Sequence, residues 1–340
     1  MIAVRNGSRA RARLVALGAH VPERVVTNAE IETWVDTTDE WITTRTGIRE
    51  RRFVAEDEAA SDLGVVAAER ILDEAGMAAA DVDVLIVPTA SPDHIFPSTA
   101  ALVADRIGAH KAAAFDLNAG CTGFVYALAQ ACALIESGIG RNVLVVGAEA
   151  LSRLMDPTDR STCILFGDAA AGALLVAEEA DAQGVTGFLG FELGADGSGG
   201  HDLVVPAGGS RQPLGAVDAP GDACIQMNGR EVFRFATRVM VDSCTRMLEA
   251  VEMGIDEVDL LIAHQANSRI IDHAVPKLGI DPERVLNNLD RYGNTSSASI
   301  PLVLTEARDD GRLEPGHLML LVAFGAGLTW GSTLVRYEPA

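Results

Sequence analysis

Lysine is nearly missing from this chain of 340 residues: only Lys111 and Lys277 occur, so the basic charge is almost all arginine. Together with the abundance of alanine, that reads as a compositional bias rather than a functional signal. The net charge of −21 argues against nucleic acid as a partner. Cysteine is sparse as well. Cys121, Cys132, Cys163, Cys224 and Cys244 are odd in number, scattered, and form no C-x-x-C pair. That argues against both a disulfide framework and a zinc site, and for a reducing compartment. No apolar run approaches a membrane span, and the longest, at 318–324, ends in glycines. The first thirteen residues carry Arg5, Arg9, Arg11 and Arg13 but no apolar h-region, so they do not read as a secretory signal. The expectation is a cytoplasmic protein without a membrane partner.

What is present suits a large folded core. Hydrophobic residues make up 48% and charged residues 22%, the proportions of a soluble globular protein with about two domain-sized units. Residues 13–18 read as a strand, 22–26 as a turn, and 28–35 as a helix capped by Asn28. Thr38 can cap a short helix that puts Trp41 and Arg45 on one face, and Gly47 can end it. Trp41 is then either a core anchor or a platform for a flat ligand. Helices are expected at 61–75 and 99–107, and strands at 82–88, 142–148, 163–166 and 172–176. Residues 184–221, rich in Gly, Pro, Asp and Ala, read as loops and a covering flap. Their glycines lack the strand-turn-helix frame of a nucleotide-binding fingerprint. Beyond them, helices are expected at 230–251, 269–278 and 297–309. Strands are expected at 258–263 and 318–324, with 329–337 returning as a hairpin partner. The alternation indicates a layered α/β architecture.

One stretch organises the rest. From Ala114 to Leu128 an apolar run ends in small residues, Cys121 follows, and Phe124, Leu128, Ala131 and Ile135 begin a helical face. Cys121 is therefore placed at a helix N-terminus, where the dipole favours a thiolate. The other reading is a buried structural cysteine. His264 follows the strand 259–263 directly, and Asn294 lies in a turn that opens another helix. Read singly, His264 is a satisfied histidine and Asn294 a cap. Together, all three sit where an apolar element gives way to a turn, where a nucleophile and two donors to an acyl or enolate oxygen belong. Papain-like proteases also use Cys, His and Asn, but with the cysteine near the mature N-terminus in a Cys-Gly-Ser-Cys-Trp-like context that this chain lacks.

The sequence closely resembles the β-ketoacyl-acyl carrier protein synthase III family of the thiolase superfamily. The matching runs are residues 35–51, 116–128, Asp156-Pro157-Thr158-Asp159-Arg160 and Phe166-Gly167-Asp168. They continue in His264-Gln265-Ala266-Asn267, Gly293-Asn294-Thr295-Ser296 and residues 324–331. The resemblance implies a five-layered αβαβα fold made of two similar halves, 1–180 with the cysteine and 181–340 with the histidine and asparagine, usually as a homodimer. No duplication is visible in the residues themselves. It further implies Cys121 as nucleophile, His264 and Asn294 as its partners, and an oxyanion hole from the N–H groups of Cys121 and Ala326. Coenzyme A would meet Trp41, Arg45 and Arg160. Phe96 matches the residue that reaches into the partner subunit's pocket, and Ala90 and Leu151 match acyl-pocket positions, with sizes compatible with a branched or longer starter.

Two departures stand out: Gly120 where the family commonly has Ala, and Ala326 where it commonly has Gly. The activity implied is transfer of a short acyl group from acyl-CoA to Cys121 and its condensation with malonyl-acyl carrier protein, initiating fatty-acid synthesis. No metal or bound cofactor is required. A priming ketosynthase or acyltransferase of a polyketide pathway, or a non-catalytic carrier-protein-binding paralogue, are the competing readings. Arg230, Arg234 and Arg238 share a helix face, and Arg234 with Arg269 and Lys277 is expected to dock the acidic carrier protein.

Overall fold

A computed structural model describes residues 10–179, 187–216 and 219–339. Strand β1 spans Ala10–His20, and β2 (Arg24–Thr27) pairs antiparallel with β3 (Glu50–Phe53) across the short helices α1 (Asn28–Ile31) and α2 (Asp39–Thr46). Helix α3 (Ala60–Ala75), strand β4 (Val84–Pro88), helix α4 (Thr99–Arg106), strand β5 (Ala113–Leu117) and helix α5 (Gly123–Glu136) then alternate. Strands β6 (Asn142–Glu149) and β7 (Ala169–Glu179) close this part. The rest runs β8 (Phe188–Ala195), β9 (Leu203–Val204), β10 (Gln226–Met227), α6 (Gly229–Ala250), β11 (Leu260–Ala263) and α7 (Ser268–Leu278). It ends with β12 (Val285–Leu286), α8 (Leu289–Tyr292), α9 (Ser299–Asp309), β13 (Leu318–Gly325) and β14 (Thr329–Arg336).

Two five-stranded sheets result, ordered β1-β7-β6-β4-β5 and β8-β14-β13-β11-β12. In each, the first two pairings are antiparallel and the last two parallel. The two sheets are thus the same motif twice, although the residues show no repeat.

Strand periodicity assigns the layers. Val145 of β6 and Leu321 of β13 face inward on Leu128 of α5 and Val303 of α9, in one core shared by both sheets. Their neighbours Leu144 and Leu320 point the other way. Leu144 packs with Ile71 of α3 and Val103 of α4, and Leu320 with Met240 of α6 and Ile271 of α7. Helices α5 and α9 are therefore the middle of five layers, and both are buried over most of their surface. The chain has the thiolase-like fold.

Several local expectations are corrected. Residues 24–27 are a strand, not a turn. Thr27, not Asn28, caps α1, accepting from Glu30 N; the Asn28 side chain turns inward to donate to Asp39 Oδ1 and Ile48 O. Residues 163–166 form turns rather than a strand. The Asp159 carboxylate accepts from the Ser161 and Thr162 hydroxyls, the Cys163 N–H bonds back to Asp159 O, and only Phe166 keeps a single bridge, to Asn294. Residues 188–195, read as loop, are the edge strand β8, where Phe188 and Phe191 are buried and stacked. Its glycines misled the reading: a Cβ on Gly194 would lie 2.2 Å from the Trp330 ring. Residues 1–9 of the basic stub, the expected boundary at 180/181 and part of the flap lie outside the described residues.

Candidate active site

Cys121 sits in a 3-10 turn, Gly120–Thr122, that feeds α5. The turn needs Gly120, whose φ is +53°. Across from it runs the bend after β13. A Cβ on Gly325 would lie 2.7 Å from Cys121 N, and one on Gly120 would lie 3.1 Å from Ala326 N. The backbones carrying the N–H groups of residues 121 and 326 are therefore in contact, and both residues line one cavity. Thr329 Oγ1 sits between the two segments, 2.9 Å from Ala119 O and 3.0 Å from Ala326 O, with its one proton shared between these two acceptors.

His264 ends the run of β11 and is 1% exposed. Its ring packs edge-on against Phe324, and its Nδ1 lies 2.8 Å from Ser299 Oγ. Asn294 is held on both sides of Phe166: its N–H donates to Leu165 O, and its C=O accepts from Gly167 N. Both close approaches require glycine, because a Cβ on Gly167 or Gly293 would strike Tyr292 O or Leu165 O, at 2.2 and 2.7 Å. Asn294 Oδ1 accepts from Ser296 N at 2.9 Å, which leaves the amide Nδ2 to donate elsewhere.

Two chambers meet at Cys121. One, about 260 Å³, is lined by Ala90, Leu151, Phe166, Val205, Ile225 and Ala326. The other, about 90 Å³, is lined by His264, Asn294, Phe324, Phe233 and Met227. The structure thus brings together Cys121, His264, Asn294 and Ala326, and adds the expected acyl-pocket residues Ala90 and Leu151. Phe96 is not among the residues lining the pocket of its own chain; it is 84% exposed, beside Ile95 at 80%. Leu203, Val204 and Val205, from the expected flap, do cover the first chamber. Phe166, Phe324 and Ser296 lie in the matching runs but had no role assigned from the sequence, and Ser299 reads there only as a polar residue of a helix.

The electrostatics correct the expectation of a ready thiolate. Burial pushes the Cys121 thiol up to about 12, with the Ser296 hydroxyl acting against it. Desolvation is the largest cause. Burial also lowers the His264 imidazole to about 3, so it is neutral at ordinary pH. Burial thus favours the uncharged form of both groups. No group of three or more metal-ligating side chains occurs among the described residues.

On the surface, Trp41 is 36% exposed and so is not a core anchor. The Arg160 and Arg45 guanidiniums lie 5.1 and 5.7 Å from its ring centroid. The expected coenzyme A trio is therefore one cluster. The Arg269 guanidinium on α7 lies 5.4 Å from the ring centroid of Phe233 on α6, a residue that lines the His264 chamber. Arg234 pairs with Glu231, and Lys277 with His273 at 2.7 Å, so these two are more engaged than expected.

This fold, with a cysteine at a buried helix entrance and a histidine and asparagine opposite it, defines a condensing enzyme of the thiolase-like class. Family models described as 3-oxoacyl-[acyl-carrier-protein] synthase III match residues 115–197, and those of its C-terminal part match 248–337. A β-ketoacyl-[acyl-carrier-protein] synthase III of Desulfitobacterium hafniense is 50% identical over 326 residues, covering 96% of this chain and 97% of its own. That of Symbiobacterium thermophilum is 49% identical, covering 95% and 97%. Among solved structures, the Thermus thermophilus synthase III is 49% identical with a TM-score of 0.87, covering 96% of this chain and all of its own. A priming β-ketosynthase of the R1128 polyketide pathway is 35% identical with a TM-score of 0.90, each chain covered to 99%. The chain belongs to the β-ketoacyl-[acyl-carrier-protein] synthase III family, whose members are acyl-transferring condensing enzymes. No helix among the described residues is long and apolar enough to cross a membrane.

Proposed function

We propose that this chain transfers a short acyl group from acyl-CoA to Cys121 and condenses it with malonyl-acyl carrier protein, the initiating step of fatty-acid synthesis. The observation that carries the reading is the meeting of two differently equipped chambers at one sulfur. Cys121 Sγ attacks the thioester carbon, and the C–S bond to CoA breaks. The cysteine proton passes to the CoA sulfur, which leaves as the thiol, and the acyl chain enters the apolar chamber. The tetrahedral oxygen is placed against the N–H groups of residues 121 and 326. Malonyl-acyl carrier protein then occupies the other chamber and loses CO₂. The developing enolate oxygen is stabilised by His264 and Asn294 Nδ2. The carbanion attacks the acyl-Cys121 carbonyl, and the thiolate leaves as β-ketoacyl-carrier protein forms. Every step is assigned to protein groups, so none calls for a metal or bound cofactor.

Trp41, Arg45 and Arg160 suit the nucleotide end of CoA, and Arg269 the acidic carrier protein. We read the chain as one half of a homodimer, since Ile95 and Phe96 project into solvent and β5 is an exposed sheet edge. The fatty-acid role is preferred to polyketide priming because the relatives near 50% identity are named synthase III.

Separate assays of acyl transfer and CO₂ release test the scheme. Cys121→Ala abolishes acylation and condensation but still decarboxylates malonyl-carrier protein. His264→Ala and Asn294→Ala lose decarboxylation by about two to three orders of magnitude, the usual effect of removing one oxyanion donor, while both still acylate. Complete loss of acylation in His264→Ala with decarboxylation intact would make His264 the base for the thiol instead.

A further inference from the structure

A neutral imidazole carries one proton, and the nitrogen that holds it decides what His264 can do. With Nε2–H the ring donates to an enolate oxygen. With Nδ1–H its Nε2 lone pair is instead a base for the Cys121 thiol. The surroundings of Nδ1 select between these. Nδ1 lies 2.8 Å from Ser299 Oγ, and both residues are 1% exposed. The same Oγ accepts from the Gln265 backbone N–H at 3.4 Å. An oxygen already accepting there has its own proton to place, and Nδ1 is the acceptor within reach. Ser299 is also the first residue of α9, whose eleven residues point the positive end of their dipole at this spot. That field favours a lone pair over an N–H at Nδ1.

We propose that the Ser299 hydroxyl donates to His264 Nδ1 and so fixes the ring as the Nε2–H tautomer, making Ser299 a positioning residue for the decarboxylation half-reaction. The inference rests on the reading above in which His264 stabilises the enolate, but its first test is independent of activity. In ¹⁵N-histidine-labelled enzyme, NMR of the wild type shows His264 protonated at Nε2. Ser299→Ala shows a mixture of tautomers. In that variant decarboxylation falls about tenfold, near the worth of one buried hydrogen bond, and acyl transfer to Cys121 is unchanged. Ser299→Thr, which keeps a hydroxyl, restores the Nε2–H signal and the rate. An Nδ1–H signal in the wild type overturns the proposal. So does an unaltered tautomer in Ser299→Ala, or an equal fall of both half-reactions in a variant of unchanged melting temperature. None of those outcomes touches the loss of decarboxylation in His264→Ala, on which the functional reading itself depends.

Discussion

Gly120 and Ala326 share one contact across the active site: a Cβ on Gly120 would lie 3.2 Å from Ala326 Cβ. The one methyl of this pair sits on residue 326. Among the described residues, only Glu252 and Ser296 are non-glycine residues with positive φ, so Ala326 keeps its backbone N–H in place without strain.

The first prediction follows from that pair. Gly120→Ala meets the Ala326 backbone and methyl and forces φ of +53° on an alanine, so it destabilises by roughly 1–3 kcal/mol. Ala326→Gly costs under about 1 kcal/mol, the backbone-entropy effect of one glycine. The double variant recovers part of the Gly120→Ala loss, with a coupling of at least about 0.5 kcal/mol. Denaturant midpoints of the four proteins give the cycle, and strict additivity would mean that the two positions do not share the contact.

A second prediction concerns the surface cluster of Trp41. Because the indole is partly exposed and flanked by two guanidiniums rather than packed in the core, Trp41→Ala raises KM for acyl-CoA about tenfold, with kcat and the melting temperature nearly unchanged. A lowered melting temperature with unchanged acyl-CoA KM would return Trp41 to a packing role.

The third separates the arginines of α6 and α7. Arg269 holds its guanidinium over Phe233, which lines the His264 chamber, whereas Arg234 is already paired with Glu231. Arg269→Glu therefore raises KM for malonyl-carrier protein more than Arg234→Glu does, and the effect shrinks with added salt. Neither variant alters acyl-CoA loading. Equal damage to both half-reactions would locate the effect in the site rather than in docking.

How much of this was legible in the sequence depends on the range of the forces involved. Cys121, His264 and Asn294 stood out because each ends an apolar run, and local pattern places such ends at sheet mouths. The helix stops at Gly47 and the Thr38 cap were equally local and came out as read. The duplication was invisible because two strands pairing alike need share no residues, only alternating burial. Strand β8 was hidden by glycines whose purpose, close approach to Trp330 and Met247, exists only after the sheet forms. The raised thiol pKa is hidden from the sequence for a related reason. A helix N-terminus is written in the sequence, but desolvation by both halves of the molecule is not.

The last prediction concerns acid stability, where two buried groups pull in opposite directions. Burial holds the His264 pKa down to about 3, below the ordinary 6.5 of an imidazole. Between those values the unfolded chain binds the extra proton, so this group makes the fold more stable as pH rises toward 6.5 and less stable as pH falls toward 3. Asp168 behaves oppositely. It accepts from Val54 N, Ser152 N and the Ser152 hydroxyl, yet burial raises its carboxyl to about 6. Between about 4 and 6 the folded state binds the extra proton, and stability falls as pH rises. Each full proton changes stability by about 1.4 kcal/mol per pH unit, so across about pH 4–6 the two nearly cancel in the wild type. His264→Asn removes one limb. That variant gains stability as pH drops from 6 to 4.5, relative to wild type over the same interval. Asp168→Asn removes the other, and its stability falls more steeply than the wild type's over that interval. Urea midpoints measured at half-unit steps read both slopes. Parallel curves for all three proteins would show that neither group is held away from its ordinary pKa.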